Sequence, residues 1–208
     1  MVTIKIVIEG AILTDENTAA DTFDNSEKFR ESFHTLFSEI FNPGSFNLII
    51  EPGSGYKQAI KTFVIEQQKV NCILLIDLDA PKNAKQTKLA ELSLTEYAGI
   101  VFFMVQEMES WILSQPLNII KTYADQLKYK GKLEEDAIFR KHPEEISDPT
   151  FHLKTVLGRY FTFEKNGITK KKKYGKLKDA PLLIANLDVG ALRTTFEDVE
   201  RLAQFSIL

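Results

Sequence analysis

Four short apolar segments, TIKIVI (3 to 8), FNLIIE (46 to 51), CILLI (72 to 76) and GIVFFMV (99 to 105), recur along the first half of the chain, separated by longer amphipathic or polar stretches. Length and β-branched content mark each as a strand, and the last is apolar on both faces, as a strand buried in a parallel sheet must be. Between the first two, Phe29, Phe33, Leu36, Phe37, Ile40 and Phe41 fall at helical spacing and make one apolar stripe. Asn42-Pro43-Gly44 stops that helix. Pro52-Gly53-Ser54-Gly55 reads as a turn leading into a second helix that reaches about Lys69, and residues 84 to 94 read as a third. Strands alternating with helices in this way predict a layered α/β fold with right-handed crossovers: a mainly parallel sheet flanked by helices.

The pattern changes after residue 105. A helix is expected at about 107 to 129, followed by a mixed region with His142-Pro143, Asp148-Pro149 and a lysine run, then helical patterns near 178 to 187 and 194 to 205. No linker rich in Pro, Gly or Ser intervenes, so the expected organisation is an α/β domain over 1–115 with a mostly helical C-terminal subdomain over 116–208 packed on it. A chain of 208 residues that is 44% hydrophobic can bury a real core. Its formal charge of -3 gives no global pull toward nucleic acid, so any such binding must come from local patches. The single cysteine, Cys72, lies in an apolar run, excludes an internal disulfide and suits a reducing cytoplasm. No stretch approaches the roughly 18 apolar residues of a membrane span, and MVTIKIVIEG is too short and too alternating for a signal peptide. A cytoplasmic protein without membrane contact is expected.

Ligands of open α/β sheets bind outside the carboxyl ends of the strands, so acids just after a strand carry the functional weight. Three sets fall there: Glu9-Gly10, Asp77-Leu78-Asp79 and Gln106-Glu107-Met108-Glu109. If the first and third strands are neighbours, Glu9 meets both aspartates, and residues i and i+2 of an extended segment point to one side. Carboxylates clustered in a partly dry cleft repel one another, and Mg²⁺, which takes oxygen ligands, relieves them. The ordinary alternative is that Asp79-Ala80-Pro81 forms an Asx-type turn. Joint placement with Glu9 favours the site.

The motifs Val7-Ile8-Glu9-Gly10 and Asp77-x-Asp79 resemble the TOPRIM domain of topoisomerases, primases and OLD-type nucleases. Gln106-Glu107-Met108-Glu109-Ser110-Trp111, Tyr174-Gly175-Lys176 and Asp179-Ala180-Pro181 further resemble a TOPRIM-like family of unknown function related to RloB and AbiLii. The resemblance implies a TOPRIM-like, Rossmann-like fold and Mg²⁺- or Mn²⁺-dependent phosphodiester cleavage of DNA or RNA. It implies Glu9 as general acid or base, Asp77 and Asp79 as metal ligands with Glu9, and an effector role in phage defence beside an ABC-type or OLD-type ATPase. Of the later acids, Glu107 is favoured as the fourth catalytic carboxylate because it lies nearest the strand end; Trp111 is read as core.

Substrate contact is assigned to Gly10, Lys154, Lys176 and Tyr174. The run ITKKKKYGKLK is either a solvated hairpin tip or a strand-binding loop in which Tyr174 stacks on a base. Lys154, with His152 beside it, opens a helix after Asp148-Pro149. The stretch Ala11 to Asn25, with Asp15, Glu16, Asp21 and Asp24, departs from the TOPRIM pattern and reads as a lid, a partner loop or a solvated loop. No Walker A or G-x-S-x-G motif is present, and Cys72 lies within a strand, so ATPase, serine hydrolase and cysteine hydrolase chemistry are set aside. Two other readings stand beside the nuclease: a non-catalytic TOPRIM-like module that docks on an ATPase or nucleic acid, and, lower, a receiver-like pocket with a phosphoryl-accepting aspartate. A homo-oligomer is left open.

Overall fold

The computed structural model describes residues 2–10, 20–41 and 46–205, with the backbone alone for 20–25. The first half runs β1 (Val2–Glu9), α1 (Ala20–Ile40), β2 (Phe46–Gly53), α2 (Tyr56–Glu66), β3 (Asn71–Asp77), α3 (Lys85–Glu91) and β4 (Val101–Met104). The four strands pair in the order β2-β1-β3-β4, all parallel. The expected α/β fold with a parallel sheet flanked by helices is therefore what the chain adopts.

Alternation along the strands explains the layering. Ile4, Ile6, Ile8, Ile73, Leu75, Phe102 and Met104 face α1, whose Phe29, Phe33, Phe37 and Phe41 stack along one stripe. Val7, Cys72, Leu74, Ile76 and Phe103 face the other way, onto Phe63 of α2 and Leu89 of α3. Two-sided burial is why β3 and β4 read as continuous apolar runs. The expected turn at 52–55 is shorter than it reads: Pro52 and Gly53 continue β2, in register with Ile8 and Glu9, and only Ser54 and Gly55 bend the chain into α2. An edge strand tolerates a proline that a central one would reject.

The second half differs more. The helix expected at 107 to 129 is two, α4 (Glu109–Leu113) and α5 (Pro116–Tyr123), because Pro116 offers no N–H and suits only a first helical position. A small antiparallel sheet was not foreseen: β5 (Lys128–Tyr129) follows α5, and after α6 (Pro149–Tyr160) come β6 (Phe161–Lys165) and β7 (Ile168–Lys171). Asn166 and Gly167 join the last two with φ of +54° and +72°, the geometry of a two-residue hairpin turn. The chain closes with α7 (Lys176–Ile184), α8 (Val189–Thr195) and α9 (Glu197–Ala203).

One hydrophobic cluster joins the halves, running from Ile4 and Phe37 through Trp111 and Phe161 to Leu192 and Leu202. Trp111 has no exposed surface and packs on Phe196, ring centroids 6.2 Å apart. A polar clamp adds to this: Asp198 of α9 accepts the Phe103 N–H of β4 at 2.9 Å and pairs with Lys85 and Arg201. Among the described residues no helix is long and apolar enough to cross a membrane. Residues 11–19 of the acidic stretch, and the Asn42-Pro43-Gly44 helix stop, lie outside the described residues, whereas 20–25 belong to the backbone of α1.

Candidate active site at the carboxyl edge of the sheet

Because all four strands run parallel, their carboxyl ends share one edge. From β1 the chain winds outward to β2 in one direction, and from β3 to β4 in the other. The reversal between β1 and β3 opens the crevice in which such sheets bind ligands. Glu9 ends β1 and Asp77 ends β3, so the two expected acids stand at this point. The backbone N–H of Asp77 donates to Glu9 Oε2 at 3.1 Å.

Asp77 is buried and its Oδ1 accepts the Met108 N–H at 2.8 Å, ahead of α4. Its Oδ2 lies 3.6 Å from Lys176 Nζ, and the same ammonium lies 3.6 Å from Glu109 Oε2. Glu109 is wholly buried, and its other oxygen accepts the Tyr174 hydroxyl at 2.9 Å. Glu9, Asp77, Lys176, Glu109 and Tyr174 thus form one chain of polar groups running inward from the sheet edge.

Burial sets the protonation of this chain. It pushes the Asp77 carboxyl up to about 8, with the Lys176 ammonium opposing and Glu109 and Glu9 adding to the rise. Glu9 is also raised, chiefly by burial, against the hydrogen bond from Asp77. Burial works to lower Lys176, but Asp77, Glu109 and Glu107 outweigh it and raise the amine, which stays charged. Tyr174 is raised well above the usual phenol range by burial and then by Glu109, so it remains a donor.

A cavity of about 220 Å³ lies over these groups, lined by Glu9, Gly10, Phe29, Ser54, Gly55, Asp77, Lys176 and Leu177. Gly10 is confined to glycine twice over: its φ is +123°, and a Cβ there would sit 2.8 Å from Phe29 Cζ. At Gly53, which ends β2, a Cβ would meet Ala59 Cβ at 2.7 Å, so its absence lets the start of α2 close on the sheet. That start, capped by Gly55 with no side-chain hydrogen bond, presents Ser54 and Gly55 to the cavity.

Four sequence assignments change here. Asp79 does not continue the strand: with φ at +52° its alternation is broken, and its carboxylate, just over half exposed, stands 3.5 Å from Lys88 Nζ instead of beside Asp77. It remains at the rim, since its charge raises the pKa of Glu9 while that of Lys88 lowers it. The later acid that joins Lys176 and Asp77 is Glu109 rather than Glu107, whose Oε2 accepts the Thr150 N–H at the start of α6. Gln106, at φ +61°, turns the chain between β4 and α4 and sends the two glutamates to different neighbours. Tyr174 is buried with its hydroxyl committed to Glu109, so its ring is closed to a nucleic-acid base. Lys154 is exposed on α6 and does not line the cavity, and half-buried His152 faces the Phe151 ring at 5.6 Å.

Lys88 is the residue that sequence reasoning missed. It lies on α3 against Asp79 and over the Tyr56 ring, 5.9 Å from its centroid. Asp179, the first residue of the Asp179-Ala180-Pro181 motif, accepts from Tyr123, Lys172 and the Gly175 N–H, and so fastens the segment that carries Tyr174 and Lys176.

The donor chemistry fits a hard divalent cation. Glu9 and Asp77 supply neighbouring carboxylates whose pKa values are raised chiefly by burial and further by nearby acids, a rise that a bound cation would oppose, and Asp79 stands at the rim. Among the described residues, no three His, Cys, Asp or Glu side chains form a ready-made metal cluster.

The family model for a domain of unknown function, DUF4276, matches residues 20–205. Neither the curated proteins nor the solved structures include a match.

Proposed function

We propose that this chain, which belongs to the DUF4276 family of domains of unknown function, is a divalent-metal-dependent nuclease of the TOPRIM type that hydrolyses phosphodiester bonds. The observation that carries the reading is the meeting of Glu9 and Asp77 at the winding reversal of the sheet, with Lys176 Nζ 3.6 Å from Asp77, over a cavity of about 220 Å³. Glu9 and Asp77, with Asp79 at the rim, would hold Mg²⁺ or Mn²⁺. When bound, the cation would supply charge that offsets negative charge in the transition state and would polarise a phosphoryl oxygen.

The chain's own residues do the rest. Glu9, its basicity raised by burial, is suited to accept a proton from an attacking water at its free oxygen. Lys176 stays charged and lines the cavity, where its ammonium can meet a phosphate oxygen. Glu109 and Tyr174 act behind it: the buried carboxylate, fixed by the phenol, positions the amine. Gly10, where a Cβ would collide with Phe29, lets backbone form part of the cavity lining.

A second reading keeps one specific observation in its favour. Asp77 and Glu109 already share Lys176, and Asp79 already faces Lys88, so the acids at the edge have cationic partners within the chain. A non-catalytic module would need no more. The effector role in phage defence and the ABC-type or OLD-type ATPase partner rest on the resemblance alone.

Mn²⁺ titration followed by electron paramagnetic resonance separates the two readings, with cleavage of supercoiled plasmid, single strands and RNA as the activity readout. The nuclease reading expects saturable Mn²⁺ binding lost in Asp77→Asn, and cleavage lost in both Asp77→Asn and Glu9→Gln with the fold intact. Wild-type Mn²⁺ binding that is unchanged in Asp77→Asn, or absence of cleavage on all substrates with and without the ATPase, sinks it.

A further inference from the structure

The hairpin of β6 and β7 carries a charge the rest of the molecule does not. From Phe161 to Lys176 six lysines stand against one glutamate, a net of +5, in a chain whose total is -3; the remainder therefore carries -8. All four residues of β7 are exposed, as are Glu164 and Lys165 opposite, so the outer part of the ribbon is open on both faces. Its single acid is already engaged, Glu164 accepting from Lys128 at 3.2 Å and Thr169 at 2.7 Å. Lys165, Lys170, Lys171 and Lys173 make no ion pair among the described residues. Lys165 and Lys170 fall on one face of the ribbon and Lys171 on the other, and like charges so concentrated attract a polyanion and release its counterions on contact.

The ribbon's shape and composition narrow the polyanion. Strands of four and five residues span roughly 13–17 Å, a size that a B-form major groove about 12 Å wide admits, whereas the A-form major groove is too narrow. Phe161 is buried and Phe163 half-buried, and Tyr174 is turned inward, so the ribbon offers no open ring on which a single-stranded base would stack. Its root is fixed to the candidate site: Lys172 pairs with Asp179, and the next residues carry Tyr174 to Glu109 and Lys176 to Asp77.

We propose that the β6–β7 ribbon is a docking arm for double-helical DNA, holding phosphates through Lys165, Lys170, Lys171 and Lys173 without reading base sequence. The role as a substrate arm rests on the nuclease reading and names its substrate; the binding itself does not require metal. The arm ends where the site begins, so a duplex held on it is delivered to the cavity edge.

The test is fluorescence anisotropy of the full chain with a mixed-sequence 30-base-pair DNA duplex, in EDTA, across a salt series. Four phosphate contacts predict a slope of log affinity on log salt near about -3.6. Replacing the four lysines by glutamine should bring that slope close to zero and weaken binding at least about tenfold at low salt, with the thermal midpoint unchanged because the side chains are exposed. Replacement by arginine should preserve binding. Equal binding by the glutamine variant, tighter binding of the single strand or of an RNA duplex, or capture by phosphatidylserine vesicles in place of DNA would each overturn the proposal. Ribbon-dependent binding in a protein that never cleaves would remove the nuclease reading and leave the arm; cleavage with ribbon-independent binding would do the reverse.

Discussion

At the scale of single residues, Asp77 has its carboxyl pushed up to about 8 by burial. Its carboxyl is neutral in the fold up to about pH 8, yet in the unfolded chain it ionises near the ordinary value of about 4. Over that window the native state binds more protons, so this contribution to stability is complete below about pH 4 and is lost as pH rises through about 8. Asp77→Asn keeps an acceptor for Met108 and removes the titration. In EDTA, therefore, the variant should gain on the wild type between about pH 5 and pH 8, by on the order of 1–2 kcal/mol and a few degrees of thermal midpoint. Circular-dichroism melts at the two pH values check it, and a wild type that gains on the variant as pH rises refutes it. Lys88 gives a second expectation at this scale. Removing its surface ion pair with Asp79 in Lys88→Gln should tighten Mn²⁺ binding about two- to fivefold, since such a pair is worth about 0.5–1 kcal/mol. Glu9 and Asp77 were legible from sequence because strand ends in a parallel sheet converge, which needs only the element order. The direction of Asp79 was not legible, since it depends on a single positive φ that no apolar period records.

At the scale of elements, the parallel sheet was readable because its strands are apolar on both faces, and the limits of reading lie where punctuation was passed over. Pro116 breaks a helix that periodicity alone carries through to residue 129. Asn166-Gly167 is itself a strong hairpin signal, whereas the lysine run after it, compatible with a hairpin tip or a loop, has no apolar alternation that would mark β7 as a strand. Both turn residues adopt positive φ, so replacing the pair by Ala-Ala should loosen the ribbon at a local cost of about 1–2 kcal/mol. Hydrogen exchange should then speed up in β6 and β7 while the amides of β1 and β3 remain protected. Equal protection of the ribbon in both proteins would show that packing, rather than the turn, holds it.

At the scale of the whole molecule, the two sequence halves share one core. α7 packs against α1, α9 clamps β4 through Asp198, and the cluster from Ile4 to Leu202 has no break at residue 115. A cooperative core of this kind predicts one unfolding transition in urea, coincident by far-ultraviolet circular dichroism and by fluorescence. A chain ending at residue 115 should fail to give that transition, because it leaves the phenylalanine stripe of α1 without α7; two separated transitions in the full chain would contradict the shared core. Trp111 makes this experiment possible without a label. It is the only tryptophan, it packs dry from α4 onto Phe196 at the junction of α8 and α9, and Glu109 lies two residues before it. The protein thus carries its own optical probe at the seam: its emission should stay blue while the halves hold together and shift red when water reaches the indole, so the parting of the core can be timed by light alone.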